Sequence, residues 1–486
     1  MMSRTIFEKG SSGESGRYIP ANDCADMDLG SLITRKKPPG LPSVGQQDVI
    51  RHYVELASKN YHIDKGMYPL GSCTMKYNPV INEEIASLEG FAGLHPAQDE
   101  EDVQGALALM YGLQTSLCEI TGMKGFSLQP VAGAHGELTG MMIAKKYFED
   151  RGEQREVVIV PDSAHGTNPA SVAICGFTPK TVASGEDGLI DPEALEKEID
   201  GKTAVFMLTL PNTLGLFERE IARIVEIVHK AGALIYMDGA NMNALLGIVK
   251  PGDIGIDIMH VNLHKTFGTP HGGGGPGSGP VGVAGHLVDL LPVPRVVERE
   301  GRFSLDHGPG ASIGMVHPWY GNFGVMVKAY AYIRACGSDG LKAVSENAII
   351  NANYLMKKVA RSYDIKYPGP CMHEFVASAR NLRPYGVKTL DVAKRLLDYG
   401  LHAPTVYFPL IVEEALMIEP VETEKKETLD HFAGIMEKIA REAKDDPQLL
   451  HDAPLTTPVR RLDEAAAARS PELCWMPVTE EDGKEE

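Results

Sequence analysis

The sequence predicts an α/β fold, with a large domain on a mostly parallel sheet followed by a smaller α+β domain. Three observations predict it. Apolar runs of strand length alternate with amphipathic runs of helix length between about residues 100 and 265. Each of those strands gives way to a polar residue at its carboxyl end. Beyond residue 340 the helical runs continue, while the strands become short. The expected boundaries are an extended arm over 1–80, a large domain over 81–330, a small domain over 331–445 and a tail over 446–486.

The arm reads as irregular, because Pro20, Pro38, Pro39, Pro42, Pro69 and Pro79 punctuate it. Within it, the segment from Met67 to Pro79 mixes turn formers with Ser72, Cys73, Thr74 and Lys76. These side chains can touch a ligand, or the segment can pack on a neighbouring subunit. Cys73 reads as a buried thiol, since nothing near it in sequence activates it.

In residues 101–121, Leu107, Met110, Tyr111, Leu113, Leu117 and Ile120 recur at helical spacing, and Gly122 suits the C′ position. A turn of small residues, Gly133-Ala134-His135-Gly136-Glu137, then opens a helix over 138–148. Backbone N–H groups at such a helix start form a cup for phosphate. The pattern is neither GxGxxG nor GxxxxGK[ST], so Rossmann and Walker readings do not fit.

A strand over 157–160 leads to Asp162-Ser-Ala-His165, and one over 203–210 leads to Asn212. A helix over 221–231 precedes a strand over 233–237, which ends in Asp238-Gly-Ala-Asn241. A strand over 254–263 ends in His264-Lys265, followed by Gly272 to Gly275 with prolines on both sides. In parallel sheets the ligand sits beyond the carboxyl ends of the strands, where His165, Asn212, Asp238 and Lys265 all fall. A helix over 325–335 connects to the small domain, which is read as helices over 348–359, 390–397 and 425–440 with strands over 373–377 and 416–418. Residues 480–486 are charged and expected to be disordered.

The 486 residues are 43% hydrophobic and 23% charged, a soluble globular profile. No apolar run is long enough to span a bilayer, and the first 30 residues lack a signal-peptide core. The expected location is cytoplasmic, with no membrane contact. The seven cysteines form no CxxC pair, which disfavours disulfides and structural zinc. A net charge of −18 disfavours nucleic acid as a partner.

The strand-end residues combine into one chemistry. Lys265 can form an imine with an aldehyde, and Asp238 can pair with a protonated pyridine nitrogen. Gly133-Ala134 can hold a phosphate, His165 can stack on a ring, and Asn212 can bond a phenolic oxygen. Those are the needs of pyridoxal 5′-phosphate.

Whole phrases then carry a resemblance. Pro69-Leu-Gly-Ser-Cys-Thr-Met-Lys-Tyr-Asn-Pro79, Asp162-Ser-Ala-His-Gly-Thr-Asn-Pro-Ala170, Asn262-Leu-His-Lys-Thr-Phe267, His402-Ala-Pro-Thr-Val-Tyr-Phe-Pro409, Met417-Ile-Glu-Pro420 and Thr457-Pro-Val-Arg-Arg-Leu-Asp463 resemble the P-protein of the glycine cleavage system. The resemblance covers nearly the whole chain, which looks like the carboxy-terminal half, the second subunit of the split form. It implies a fold-type I pyridoxal-phosphate enzyme, glycine dehydrogenase (aminomethyl-transferring). Such an enzyme decarboxylates glycine and passes the aminomethyl group to the lipoyl group of H-protein. The family counts as oxidoreductase because the lipoyl disulfide ends reduced. The implied partners are lipoylated H-protein and a homologous first, amino-terminal subunit, in a heterotetramer with two copies of each.

Carried over residue by residue, the resemblance makes Lys265 the Schiff-base residue, Asp238 the pyridinium partner and His165 the stacking ring. It puts Asn262 and His264 near the phosphate, with Gly133, Ala134 and His135 in the cup, and adds Asn241 to the cofactor site. Ser72, Thr74 and Lys76 fall near the substrate. The resemblance gives no role to the end of the tail.

Two other readings stay open. A fold-type I aminotransferase would hold a substrate carboxylate with an arginine, for which Arg302 or Arg380 is available. A cysteine desulfurase would need a catalytic cysteine on a mobile loop, and no cysteine is convincingly placed for that. Metal is not expected, since His135, His165, His264 and His271 lack ligand spacing.

Overall fold

The computed structural model describes residues 4–10, 23, 40–308 and 310–474. Cys24 and the expected disordered end, 480–486, lie outside the described residues. The chain divides into two compact units, Met1–Lys65 with Pro454–Glu486, and Gly66–Ala453.

In the first unit, Gln46–Lys59 is an α-helix where the sequence reads as irregular. Asp48 in its first turn and Lys59 in its last complement the helix dipole. The prolines and glycines just before it masked the helical segment. Near the other end of the chain, the Asp463 carboxylate accepts the Ala466 N–H at 2.9 Å and caps the short helix Glu464–Arg469.

The second unit is organised around a seven-stranded sheet. Its strands are β1 (Gly125–Ser127), β2 (Val157–Pro161), β3 (Thr178–Val182), β4 (Thr203–Thr209), β5 (Leu234–Gly239), β6 (Ile258–Val261) and β7 (Val281–Val283). The order is β1-β7-β6-β5-β4-β2-β3. The neighbours from β3 across to β6 pair in parallel. β7 is antiparallel to both its neighbours, so β1 runs with the rest.

Alternation along the strands buries both faces. Phe206 and Leu208 of β4 join Ile235 and Met237 of β5 in one apolar cluster. Val205 and Met207 join Leu234 and Tyr236 in another. Successive side chains of a strand point to opposite faces, so strands covered on both sides read as unbroken apolar runs. β3 escaped sequence reading because it is a polar edge strand holding Pro179, which an edge tolerates.

The expected helix over 138–148 is longer, Gly133–Asp150, and its first turn is the small-residue turn itself. Its glycines at 133, 136 and 140 share one face against the sheet. A Cβ on Gly133 would lie 2.6 Å from Asn262 Nδ2, and one on Gly136 would lie 2.7 Å from the Gly279 carbonyl oxygen. One on Gly140 would run into the Tyr236 ring. The missing side chains let the helix lie close to the sheet, with its amino terminus at the carboxyl ends of the strands.

The expected strand over 254–263 divides in two. Pro251–Ile254 is a 3-10 turn, Gly255 follows at φ 95°, and only β6 pairs as a strand. The left-handed conformation at Gly255 ends the turn, so the apolar character of Ile254 and Ile256 did not mean strand.

Past β7, a hairpin of β8 (Arg295–Arg299) and β9 (Arg302–Asp306) precedes the helix Phe323–Val359. That helix replaces the two expected over 325–335 and 348–359, with a break at Gly337 (φ 61°). A second, antiparallel sheet follows. It contains β10 (Asp364–Ile365), β11 (Phe375–Ser378), β12 (Thr405–Val406) and β13 (Ala415–Ile418), in the order β10-β11-β13-β12. The helices Thr389–Asp398 and Lys426–Asp445 pack on it through Leu396, Phe432 and Met436. The loop from Met67 to Pro79 is fastened to this sheet. Leu70 bridges Ile418, and the Gly71 N–H donates to the Met417 carbonyl at 3.2 Å.

Candidate active site

A cavity of about 240 Å³ opens beyond the carboxyl ends of β4, β5 and β6. Lys265, Asp238, His165, Gly133, Ala134, Asn241, Asn262, His264 and Ser72 all line it.

Asp238 is the second-last residue of β5 and is buried. Its Oδ1 accepts the Ala240 N–H at 3.0 Å, and its Oδ2 accepts the Asn168 amide at 3.2 Å. His260, its register partner on β6, brings Nε2 to 3.5 Å of Oδ1. Burial opposes ionisation of Asp238. His260, Lys265, the Ala240 N–H and the Asn168 amide outweigh it and hold the carboxyl below its usual range. Burial pushes the His260 imidazole down against the pull of Asp238, and Tyr236 Oη lies 2.6 Å from its Nδ1.

Glu137 stands behind Asp238. Its carboxylate accepts the Thr167 hydroxyl at 2.8 Å, the Asn168 amide at 3.0 Å and the Ser171 hydroxyl at 3.3 Å. Burial, then the nearby Asp238 charge, raises it to about 7. The Asn168 amide therefore bridges two acids that ionise unequally.

His165 follows β2 in a tight turn, where Nδ1 accepts the Thr167 N–H at 3.3 Å. That bond orients the ring. Burial lowers its pKa, against Asp238 and with Lys265. Lys265 follows β6, and its ammonium donates to the Ser72 carbonyl at 2.6 Å. His264 beside it accepts the Ser278 N–H at 3.1 Å and is pushed down to about 4, chiefly by burial and then by Lys265.

Four residues singled out in the sequence do not line the cavity. Asn212 closes its own turn, taking the Leu214 and Leu216 N–H groups at 3.0 and 3.1 Å and donating to the Gly188 carbonyl at 3.0 Å. His135 accepts the Val131 N–H at 3.2 Å. Thr74 donates its hydroxyl to Glu419 at 2.9 Å and receives the Asn241 amide at 2.6 Å. Lys76 is buried against Glu422 at 2.6 Å and the Tyr332 hydroxyl at 3.0 Å.

Conversely, Glu137, His373 and Glu374 line the cavity but were not singled out. Glu137 closed the small-residue motif, whereas nothing local to His373 and Glu374 marked them. The two arginines considered for a substrate carboxylate lie elsewhere, Arg302 paired with Glu101 and Arg380 with Glu413, all exposed. No cysteine among the described residues lines the cavity, and burial raises the Cys73 thiol. Groups of three acids and histidines close enough to share a metal do occur among the described residues. They are Glu137, Asp238 and His260, and His373, Glu374 and Glu419.

The donor set fits pyridoxal phosphate. An ionised carboxylate, a lysine amine and an imidazole share one cavity with a helix amino terminus. Two buried oxygens at the same cavity, Asn262 Oδ1 and Thr209 Oγ1, have no hydrogen-bond partner among the described residues. Such atoms are costly unless a ligand meets them.

Residues 22–298 match the family described as Glycine cleavage system P-protein, and residues 344–453 match Glycine dehydrogenase, C-terminal domain. The chain belongs to the glycine cleavage system P-protein family. It is 58% identical over 471 residues to the probable glycine dehydrogenase (decarboxylating) subunit 2 of Thermosipho melanesiensis, covering 96% of this chain and 98% of that one. The protein of the same name from Caldanaerobacter subterraneus subsp. tengcongensis is 58% identical over 475 residues, covering 97% and 98%. Among solved structures, a glycine decarboxylase (P-protein) in inhibitor-bound form superposes with a TM-score of 0.69 at 21% identity, covering 85% of this chain and 92% of that one. A cysteine desulfurase from Escherichia coli gives 0.60 at 15% identity, covering 80% and 98%. At these identities the likeness is one of fold. This P-protein chain has the fold-type I architecture of pyridoxal-phosphate enzymes.

Proposed function

We propose that this chain is the lysine-bearing second subunit of a split glycine dehydrogenase (decarboxylating). Its substrate is glycine, its products are CO2 and an aminomethyl group carried on the lipoyl arm of H-protein, and its cofactor is pyridoxal 5′-phosphate. The observation that carries this reading is the 58% identity to a relative of that name across 98% of its length.

In this reading Lys265 would hold the cofactor aldehyde, Asp238 would pair with the ring nitrogen and His165 would stack on the ring. The N–H groups of Gly133 and Ala134 meet the phosphate, with Asn262 and His264 beside them. Once bound, the cofactor supplies an electron sink for the pair left on the substrate carbon when CO2 departs. The protein tunes that sink. Asp238 stays ionised and so keeps a proton on the nitrogen it faces. Glu137, pushed to about 7, is only partly ionised near neutrality and so competes less than a full charge would. His165, at the cavity wall, would shield the ring from water. Lys265 Nζ, when not in covalent use, has the Ser72 carbonyl to bind.

The reading includes the homologous first subunit, in a heterotetramer with two copies of each, lipoylated H-protein and a cytoplasmic location. The name "subunit 2" on the relatives supports a partner subunit. No helix among the described residues is long and apolar enough to cross a membrane.

The test is exchange of labelled bicarbonate into the carboxyl group of glycine. It uses this chain and lipoylated H-protein, with and without the first subunit. Exchange that needs all three supports the glycine reaction, the partner subunit and H-protein. No exchange in any combination, with cofactor bound, removes the glycine reaction.

A further inference from the structure

None of the cofactor roles proposed above falls on one stretch of the cavity wall. His373 is 2% exposed and Glu374 4%, and both line the cavity with Lys265. Neither ring nitrogen of His373 has a hydrogen-bond partner among the described residues, and Nε2 lies 3.5 Å from Glu374 Oε1. Glu374 Oε2 accepts the Ser72 N–H at 2.8 Å.

Glu419, at 0% exposure, backs this wall. One ligand-type atom from each of His373, Glu374 and Glu419 falls within 4.8 Å of the others. The Glu419 oxygens are already taken by the Thr74 hydroxyl at 2.9 Å, the Thr74 N–H at 3.1 Å and the Asn241 amide at 2.9 Å. Two carboxyl groups this close and this dry do not both ionise. No arginine among the described residues lines the cavity.

An amino-acid substrate brings a carboxylate into this space. Resting on the glycine reading above, we propose that Glu374 in its acid form, with neutral His373 beside it, receives the substrate carboxylate. The chemistry favours neutral donors there. When the C–C bond breaks, its electron pair stays on the α-carbon and the carboxylate leaves as uncharged CO2. An arginine ion pair would stabilise the ground state and be lost on the way to the transition state. Neutral hydrogen bonds sacrifice less.

The charged and titratable groups facing Glu374 are Glu419, Lys265, His373, Cys73 and Cys371. Burial, then Glu419, raises Glu374 well above its ordinary value, against the Ser72 N–H and Lys265. Burial, with Lys265 adding to it, lowers His373 to about 3. Burial also raises the Cys73 thiol. Both directions favour the uncharged forms on this wall, an O–H and a neutral imidazole.

The test uses the holoenzyme, this chain with pyridoxal phosphate and its partner subunit. Binding is read from the absorbance of the cofactor with two probes, glycine and methylamine. Methylamine offers the amine without the carboxylate. Glu374→Ala is expected to weaken glycine by about 10- to 100-fold, the loss of a hydrogen bond to a charged group, and to leave methylamine within about twofold. Glu374→Gln, a neutral donor at every pH, is expected to recover most of the glycine affinity. In the wild type the glycine-to-methylamine affinity ratio should fall as rising pH removes the Glu374 proton. In Glu374→Gln it should stay flat.

Equal weakening of both probes by Glu374→Ala overturns the proposal, as does a Glu374→Gln ratio that still falls with pH. A wild type that responds to methylamine but not to glycine overturns the substrate reading itself, and this proposal with it.

Discussion

The ammonium of Lys265 sits 2.6 Å from the carbonyl oxygen of Ser72. Ser72 holds a left-handed backbone, φ 67°, that a non-glycine residue adopts only when its surroundings impose it. Here the surroundings are Glu374, which takes its N–H at 2.8 Å, and the Gly71 link to Met417. The loop from Met67 to Pro79 thus reaches the site itself and is held there by the small sheet.

Lys265 is the one lysine among the described residues that lines the cavity. Borohydride reduction of the holoenzyme is expected to fix the pyridoxyl group on Lys265 alone. Peptide mapping by mass spectrometry reads the position. A label on Lys76 would contradict the placement, because its ammonium is enclosed by Glu422 and Tyr332.

The proposed phosphate cup depends on the missing side chain at 133. Gly133→Ala puts a methyl 2.6 Å from Asn262 Nδ2, so helix or asparagine must shift. Overpacking of this kind costs about 1–3 kcal/mol, so cofactor affinity is expected to drop by about tenfold or more. Equilibrium dialysis with pyridoxal phosphate measures it, and unchanged affinity would show the cup is not used.

Lys76 and Glu422 form a buried ion pair, with side chains 1% and 7% exposed. Lys76→Met leaves Glu422 without its cation and is expected to destabilise the chain by about 3–5 kcal/mol in urea unfolding. Adding Glu422→Gln should recover much of that loss, since the stranded charge is then gone. If the single variant unfolds like wild type, the pair is not structural.

Glu218 gives a pH signature. It holds the Asn212 amide at 3.2 Å and the Ile190 N–H at 3.0 Å, and burial, the largest effect, raises it from 4.5 to about 7. The folded chain therefore binds a proton that the unfolded chain releases between pH 4.5 and about 7. The stability this proton supplies is complete below pH 4.5 and is lost as pH rises through about 7. Glu218→Gln cannot lose it. Its stability relative to wild type should improve as pH rises across that window and level off above it. A difference that does not vary with pH would show that Glu218 does not titrate there.

Much of this was legible in the chain. Strands buried on both faces must be apolar along their length, so β4 and β5 announced themselves, and Asp238 and Lys265 stood out as polar ends. Asn212 occupies the same kind of position, yet its amide is spent on its own turn. Asparagine bonds local backbone readily, and strand-end position alone does not distinguish the two uses. Lys76 and Thr74 look free in sequence because Glu422 and Glu419 lie about 350 residues away and meet them only through the fold. His373 and Glu374 were invisible for the same reason, having only a short strand beside them. His260 hid inside an apolar strand, where only the pairing of β5 with β6 sets it beside Asp238.

The glycine face of the Gly133–Asp150 helix has a mechanical meaning. Positions 133, 136 and 140 act as a recess that lets a rigid rod lie flush on the sheet. At 1.5 Å per residue, Gly140 is roughly 10 Å from the end proposed to hold the phosphate. A methyl wedged at Gly140 against Tyr236 would work as a shim under the rod. The far tip would tilt out of alignment while every atom of the cup kept its identity. Loss of cofactor could thus arise from a position that never touches it.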